Sequence, residues 1–138
     1  MSSTFPVFPL WIVKYSEKCA FDGHWDDVTL HCRGIVLDEN GVVVSRPFSK
    51  FFNYGEPLAK IPTIDGEIAH FVVEEKLDGS MVRPIPLGDG YRLATKMGIT
   101  DVAMQAEEFV AENINYHDFI MLHIERGQTP IFEWCSRK

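Results

Sequence analysis

Glu75-Lys76-Leu77-Asp78-Gly79-Ser80 is the stretch of this chain whose residue types and spacing could do covalent chemistry. It follows His70-Phe71-Val72-Val73, an apolar run that reads as a strand. A lysine at a strand end, with a carboxylate two residues on and then a glycine, suits nucleophilic catalysis, and Lys76 is the candidate nucleophile. An alkylammonium does not attack, so such a site must remove the proton by desolvation, by neighbouring positive charge or through the substrate itself. Gly79 would let the backbone turn sharply and bring a ligand close to the main chain. Asp78 would orient the amine or a metal-bound water. The same Lys-x-Asp-Gly quartet is also what a polar turn between two strands looks like, and only its surroundings decide between the two.

A second candidate is the aromatic segment Phe48-Ser49-Lys50-Phe51-Phe52-Asn53-Tyr54, interrupted by one lysine. It reads either as a core anchor with Lys50 snorkelling to solvent or as a nucleobase or phosphate contact beside aromatic rings. His24, His31 and Cys32 match no zinc spacing.

The elements that must position these residues follow from pattern. Phe8 to Tyr15 is aromatic and β-branched, a first strand, and Ser16 to Thr29 reads as a loop. Cys32 to Asp38 and Val42 to Pro47 flank Glu39-Asn40-Gly41, a hairpin with Asn-Gly at its turn. Pro57 to Glu67 is a connector rich in Pro, Gly and Asp. Met81 to Leu87 and Tyr91 to Lys96 bracket Gly88-Asp89-Gly90 as a second hairpin, in which Pro84 and Pro86 imply an edge or irregular strand. Thr100 caps a helix from Asp101 to about Asn113 with Val102, Ala106, Phe109 and Val110 on one face. Residues 117–126 read as a second helix turning Phe119, Ile120 and Leu122 to the core, and Pro130 to Cys135 as a last strand. The class is α+β, antiparallel strands with about two helices on one side, in one domain spanning residues 1–138.

Composition bounds the rest. The 138 residues, 46% hydrophobic and 12% aromatic, are enough to bury a globular core. A net charge of −7 argues against a broad nucleic-acid-coating surface and leaves room for a local basic cleft. Three cysteines without a Cys-x-x-Cys pair speak for reduced thiols and a cytoplasmic setting rather than a disulfide framework. The N-terminus lacks the basic and apolar regions of a signal peptide, and no apolar run is long enough to cross a membrane.

Five stretches together carry a resemblance: Cys-Arg-Gly-Ile-Val at 32–36, Ser-Lys-Phe-Phe-Asn at 49–53, Lys-Leu-Asp-Gly-Ser at 76–80, Thr-Lys-Met-Gly at 95–98 and Phe-Glu-Trp at 132–134. In this order they resemble the ATP-dependent RNA ligases of the bacteriophage T4 RNA ligase 1 type, over residues 32–138. The resemblance implies the adenylyltransferase domain of a covalent nucleotidyltransferase, with an ATP-grasp-like ligase fold, acting in RNA repair and phage-like in origin. Lys76 would attack the α-phosphorus of ATP and hold AMP. AMP would then pass to an RNA 5′-phosphate, to be displaced by a 3′-hydroxyl. Arg33 would meet the ribose or an RNA phosphate, and Lys50, beside Phe51, the triphosphate tail. Lys96 would sit near the nucleotide or its metal. Asp78 and Gly79 would line the nucleotide site, and Glu133 would take a ribose hydroxyl. Mg²⁺ is implied, held through water by Asp78 and Glu133. The family's later Glu-Gly and Lys-x-Lys strands lie beyond Lys138, so the expectation is a truncated domain, weak alone, completed by a complementary fragment or a homodimer docking on the strand at 130–136. The competing reading is a non-catalytic module that keeps the fold to bind a nucleotide, RNA or a protein.

Overall fold

A computed structural model describes residues 9–60 and 63–136. In chain order the elements are β1 (Trp11–Lys14), α1 (Glu17–Asp22), β2 (Arg33–Leu37), β3 (Val43–Ser45), β4 (Thr63–Ile64), β5 (Glu67–Ile68), β6 (Ser80–Leu87), β7 (Gly90–Ala94), α2 (Asp101–Glu112), α3 (Ile114–Glu125) and β8 (Phe132–Trp134). They form two three-stranded antiparallel sheets, β1-β2-β3 and β7-β6-β8, and the small hairpin β4-β5.

Side-chain alternation along β6 and β7 decides the layering. Val82 and Leu93 pack with Ala103, Ala106 and Ile120, so one face of the β6-β7 sheet is covered by α2 and α3. Ile85 and Ala94 point the other way and pack with Val36, Leu10 and Val44 of the first sheet. The β6-β7 pair is therefore the middle layer, and Ser45 fastens it to β3 by donating from its hydroxyl to the Pro84 carbonyl at 2.7 Å. Pro84 and Pro86 fall where β6 is paired with β7 alone, because the β8 ladder reaches only Ser80, Met81 and Val82. Along that half no second ladder needs the N–H groups that proline lacks.

The β2-β3 hairpin forms as expected, and the Asp38 carboxylate closes it by accepting from the Asn40 and Val42 amides at 2.9 and 2.8 Å. Thr100 caps α2 by accepting from the Ala103 amide. Several expectations need correction. The segment 16–29 is not all loop: Ser16 accepts from the Cys19 amide and Gly23 closes the turn at φ 67°, which makes α1 a third helix. The connector holds β4-β5, turned at Asp65-Gly66 with positive φ at both residues; residues 61 and 62 lie outside the description, as does Phe8 at the start of the first expected strand. The second main helix begins at Ile114, directly after Asn113, and of Phe119, Ile120 and Leu122 only Ile120 is buried.

The run His70-Phe71-Val72-Val73 is not a strand. It belongs to an exposed segment with no ladder partner, and an apolar run cannot make a strand without one. The Phe48–Tyr54 segment is not a core anchor, since Phe48, Phe51 and Tyr54 are exposed. No helix among the described residues is long and apolar enough to cross a membrane.

Candidate functional site

Lys76 reaches the site on that exposed segment, and the chain enters β6 at Ser80, directly after Gly79. Gly79 is needed for a reason other than a turn: its φ is not positive, but a Cβ there would lie 2.3 Å from the Trp134 carbonyl oxygen. Only a residue without a side chain lets the end of β6 approach the β8 backbone this closely. The same approach brings the Gly79 amide to Glu133, whose Oε1 accepts from it at 3.0 Å. Glu133 lies opposite Met81 in the β6-β8 ladder, and its side chain is exposed while its neighbours Phe132 and Trp134 turn toward the helices.

Arg33, Phe51, Lys76, Gly79 and Glu133 line one open cleft of about 570 Å³. The Arg33 guanidinium sits over the Phe51 ring, 4.8 Å from its centre. Such stacking steadies the planar cation on one side and leaves its edge for an anion. The cleft also carries the carboxylates of Glu74 and Glu75. Lys96 is not in this cleft but in an adjoining one of about 430 Å³, with Arg33 and Met81 on the shared wall and Ser80 and Thr95 beside it. Lys50 lines a third cleft that shares Phe51. Its ammonium donates to the Phe51 carbonyl at 2.9 Å and lies over the rings of Phe52 and Trp25, at 4.6 and 5.7 Å from their centres. Asp78 is not among the residues lining these clefts.

Two features of the site were not legible in residue types. Trp25, in the segment expected to be loop, stacks edge-on with Tyr15 and with Phe52, at ring-centre distances of 4.8 and 5.9 Å, so an aromatic cluster stands behind Lys50. Lys96 lies over the Tyr15 ring of the same cluster at 5.9 Å. Arg83 is fully buried on the face of β6 that meets the first sheet. Its Nη1 donates to the carbonyls of Ala94 and Thr95, at 3.1 and 2.5 Å, and its Nη2 to the carbonyl of Gly34. One guanidinium thus ties the residue after Arg33 to the residue before Lys96. Burial pushes it down to about 10, still well above neutral, so it stays charged. Gly34 makes the junction possible, because a Cβ there would stand 2.9 Å from the Lys96 Cα. The one signal in the sequence was a charge inside the otherwise apolar run Met81-Val82-Arg83-Pro84-Ile85.

Among the described residues no three His, Cys, Asp or Glu groups converge as a protein-only metal cage. Glu74, Glu75 and Glu133 are the acidic residues lining the Lys76 cleft, and one or two of them would meet the needs of Mg²⁺, which takes one or two carboxylates, often through water, and completes its shell with substrate phosphates.

The sequence profile of a family described as RNA ligase matches residues 31–138. The chain is 37% identical over 107 residues to a protein named "Putative RNA ligase" from Thermovibrio ammonificans, covering 75% of this chain and 28% of that protein. It is 41% identical over 69 residues to "RNA ligase 1" of Bacteriophage TS2126, 46% of this chain and 18% of the other. A "Putative bifunctional polynucleotide kinase/RNA ligase" of Autographa californica nuclear polyhedrosis virus is 26% identical over 132 residues, 80% of this chain and 19% of the other. The chain thus spans less than a third of the length of each of these relatives.

Proposed function

The chain belongs to the RNA ligase family of the T4 RNA ligase 1 type, and from that premise we propose that its Lys76 cleft carries out the adenylylation step of RNA end joining. The observation that carries this reading is the convergence of Arg33, Phe51, Lys76, Gly79 and Glu133, dispersed over a hundred positions of sequence, on one cleft of nucleotide size.

The Lys76 ammonium passes a proton to solvent, and the free amine attacks the α-phosphorus of ATP. An N–P bond forms as the bond from the α-phosphorus to the bridging oxygen breaks, and pyrophosphate leaves with that electron pair. The lysine-AMP then gives AMP to the 5′-phosphate of an RNA, and a 3′-hydroxyl displaces the AMP to join the ends. Arg33, held flat by Phe51, meets phosphate or ribose with its free edge. Glu133 fixes the Gly79 amide, and so the approach of Lys76, and offers an oxygen to a ribose hydroxyl or to water on Mg²⁺. When bound, Mg²⁺ would supply charge neutralisation on the triphosphate. Lys96 stands in the adjoining cleft that shares Arg33 and Met81, where the departing pyrophosphate can be met, and Lys50 in the cleft that shares Phe51, where the second substrate can be met. ATP, Mg²⁺ and RNA ends with a 5′-phosphate and a 3′-hydroxyl are the ligands of this reading. β8 has β6 on one side, and a further strand from a complementary segment or a second copy of the chain would pair along the other.

The test is incubation with α-labelled ATP and Mg²⁺. Label should enter the protein as an acid-labile, alkali-stable phosphoramidate and be lost in Lys76→Ala. Equal labelling of Lys76→Ala would sink the assignment, whereas ATP binding with no label transfer to wild type would point to a non-catalytic nucleotide-binding module.

A further inference from the structure

The cleft beyond Phe51, of about 410 Å³, differs in kind from the one around Lys76. The Lys76 cleft sets the carboxylates of Glu74, Glu75 and Glu133 against the cations of Arg33 and Lys76, a balance suited to a metal-bound nucleotide. The cleft beyond Phe51 has Lys50 and Lys60 on its walls and no carboxylate. In a chain of net charge −7, such a basic cleft is a local exception that background charge cannot explain. The nearest acid in sequence, Glu56, is exposed but does not line the cleft, and its Oε2 accepts from the Asn53 amide at 2.5 Å.

The aromatic content of this cleft is as specific. Tyr54 is 90% exposed and Phe51 51% exposed, and Tyr54 stacks on no other ring among the described residues. A large ring held out in water beside lysines offers a π-face for a base and cations for the adjoining phosphate, the combination by which single strands are bound without sequence readout. A triphosphate tail would use the lysines and leave the rings idle. Phe51 lines both clefts, so a strand lying along Tyr54 would adjoin the Lys76 cleft.

We propose that the cleft lined by Lys50, Phe51, Tyr54 and Lys60 binds a single-stranded RNA segment next to the end being joined, a base stacking on Tyr54 and phosphates meeting Lys50 and Lys60. The identity of the strand as RNA rests on the ligase reading above. The binding itself needs neither ATP nor labelling of Lys76.

The probe is a 5′-phosphorylated hexa-adenylate carrying 2-aminopurine, titrated with the whole chain in the absence of Mg²⁺. Binding should quench the 2-aminopurine. Tyr54→Ala should weaken affinity by about tenfold, the lower part of the range for one stacked base. Lys60→Ala should flatten the dependence of log K on log salt by about 0.7, the loss of one single-strand phosphate contact. Saturating α,β-methylene ATP should leave the oligonucleotide bound. Displacement by the ATP analogue, wild-type affinity in Tyr54→Ala or no binding by the wild type would each overturn the proposal. Both side chains are exposed, so neither substitution threatens the fold. Label transfer measured on the same preparations separates the two readings: loss of Lys76 labelling with Tyr54-dependent RNA binding intact defeats the adenylylation step alone, and the reverse defeats the RNA cleft alone.

Discussion

Gly79 and Arg83 act on the site from opposite sides of legibility. Lys76, Arg33 and Glu133 could be picked out in sequence because each residue type carries its own chemistry, and Gly79 because it stood beside them. The reason for Gly79 was not readable, since close approach to the Trp134 carbonyl depends on a strand more than fifty residues away. Gly79→Ala should push β6 and β8 apart, break the Glu133 contact and cost about 1–3 kcal/mol, as overpacked sites do. Urea unfolding should report that loss, and Lys76 labelling should fall with it. Arg83 was not singled out by residue type, and only the fold reveals that its partners are three backbone carbonyls. Arg83→Met strips the donors from those carbonyls, at about 1–3 kcal/mol for each acceptor left unpaired. Relief from burying a charge offsets part of this, so a net loss on the order of 3 kcal/mol is expected in urea unfolding. Because the folded value is depressed to about 10, below the ordinary guanidinium range, the unfolded chain holds more protons between the two values. The burial cost is therefore constant below about pH 10 and is relieved as pH rises from there toward the ordinary guanidinium range, a rise in stability that Arg83→Met should lack.

At the scale of elements, what was legible had a local signal strong enough to stand alone. The Asn-Gly hairpin and the Thr100-capped helix are of this kind. α1 was hidden because six residues are too few to show a helical period, although Ser16 and Gly23 mark its ends. The Phe71–Val73 run failed in the opposite way, carrying strand-like residues with no strand beside them. The turn after α1 shows how much an unreadable element can matter. Asp26 accepts from the Thr29 amide at 2.7 Å and from its hydroxyl at 2.8 Å, and these bonds hold the carboxyl below its ordinary value of 3.8. The sign follows from the depressed folded value: the turn's stabilisation is present above the ordinary value and is lost as pH falls through the folded one. Trp25, adjacent to Asp26, should then loosen from Tyr15 and Phe52 in acid. The Thr29 amide resonance should shift with a midpoint below 3.8, and Asp26→Asn should abolish that titration. A midpoint at or above the ordinary value would mean that the bonds to Thr29 do not hold the charged form.

For the molecule as a whole, the α+β class was readable from the change between two-residue and helical periods, whereas the layering was not, because sequence alone does not say which faces of two sheets meet. The meeting has a consequence for stability and for the site together. The helix-side cluster around Ile120 and the sheet-side cluster around Val36 lie on opposite faces of the same β6-β7 pair. Neither cluster can open without exposing one face of that middle layer, so the two should melt as one cooperative unit. The Lys76 cleft lies where this middle layer meets the first sheet, with Arg33 from the first sheet, Met81 and Glu133 from β6 and β8, and Gly79 just before β6. Ile120→Ala should cost about 2–5 kcal/mol through the cavity it leaves, and Val36→Ala about 2 kcal/mol, each a large part of the roughly 5–15 kcal/mol that holds a domain folded. Both variants should lower the midpoint of a single urea transition without changing its slope, with tryptophan fluorescence and far-ultraviolet circular dichroism coinciding. Lys76 labelling should be lost along that same curve in either variant. Two separate transitions, with labelling following only the one shifted by Val36→Ala, would show that the β6-β7 layer does not couple its two faces, and that the first sheet assembles the cleft without help from the helices.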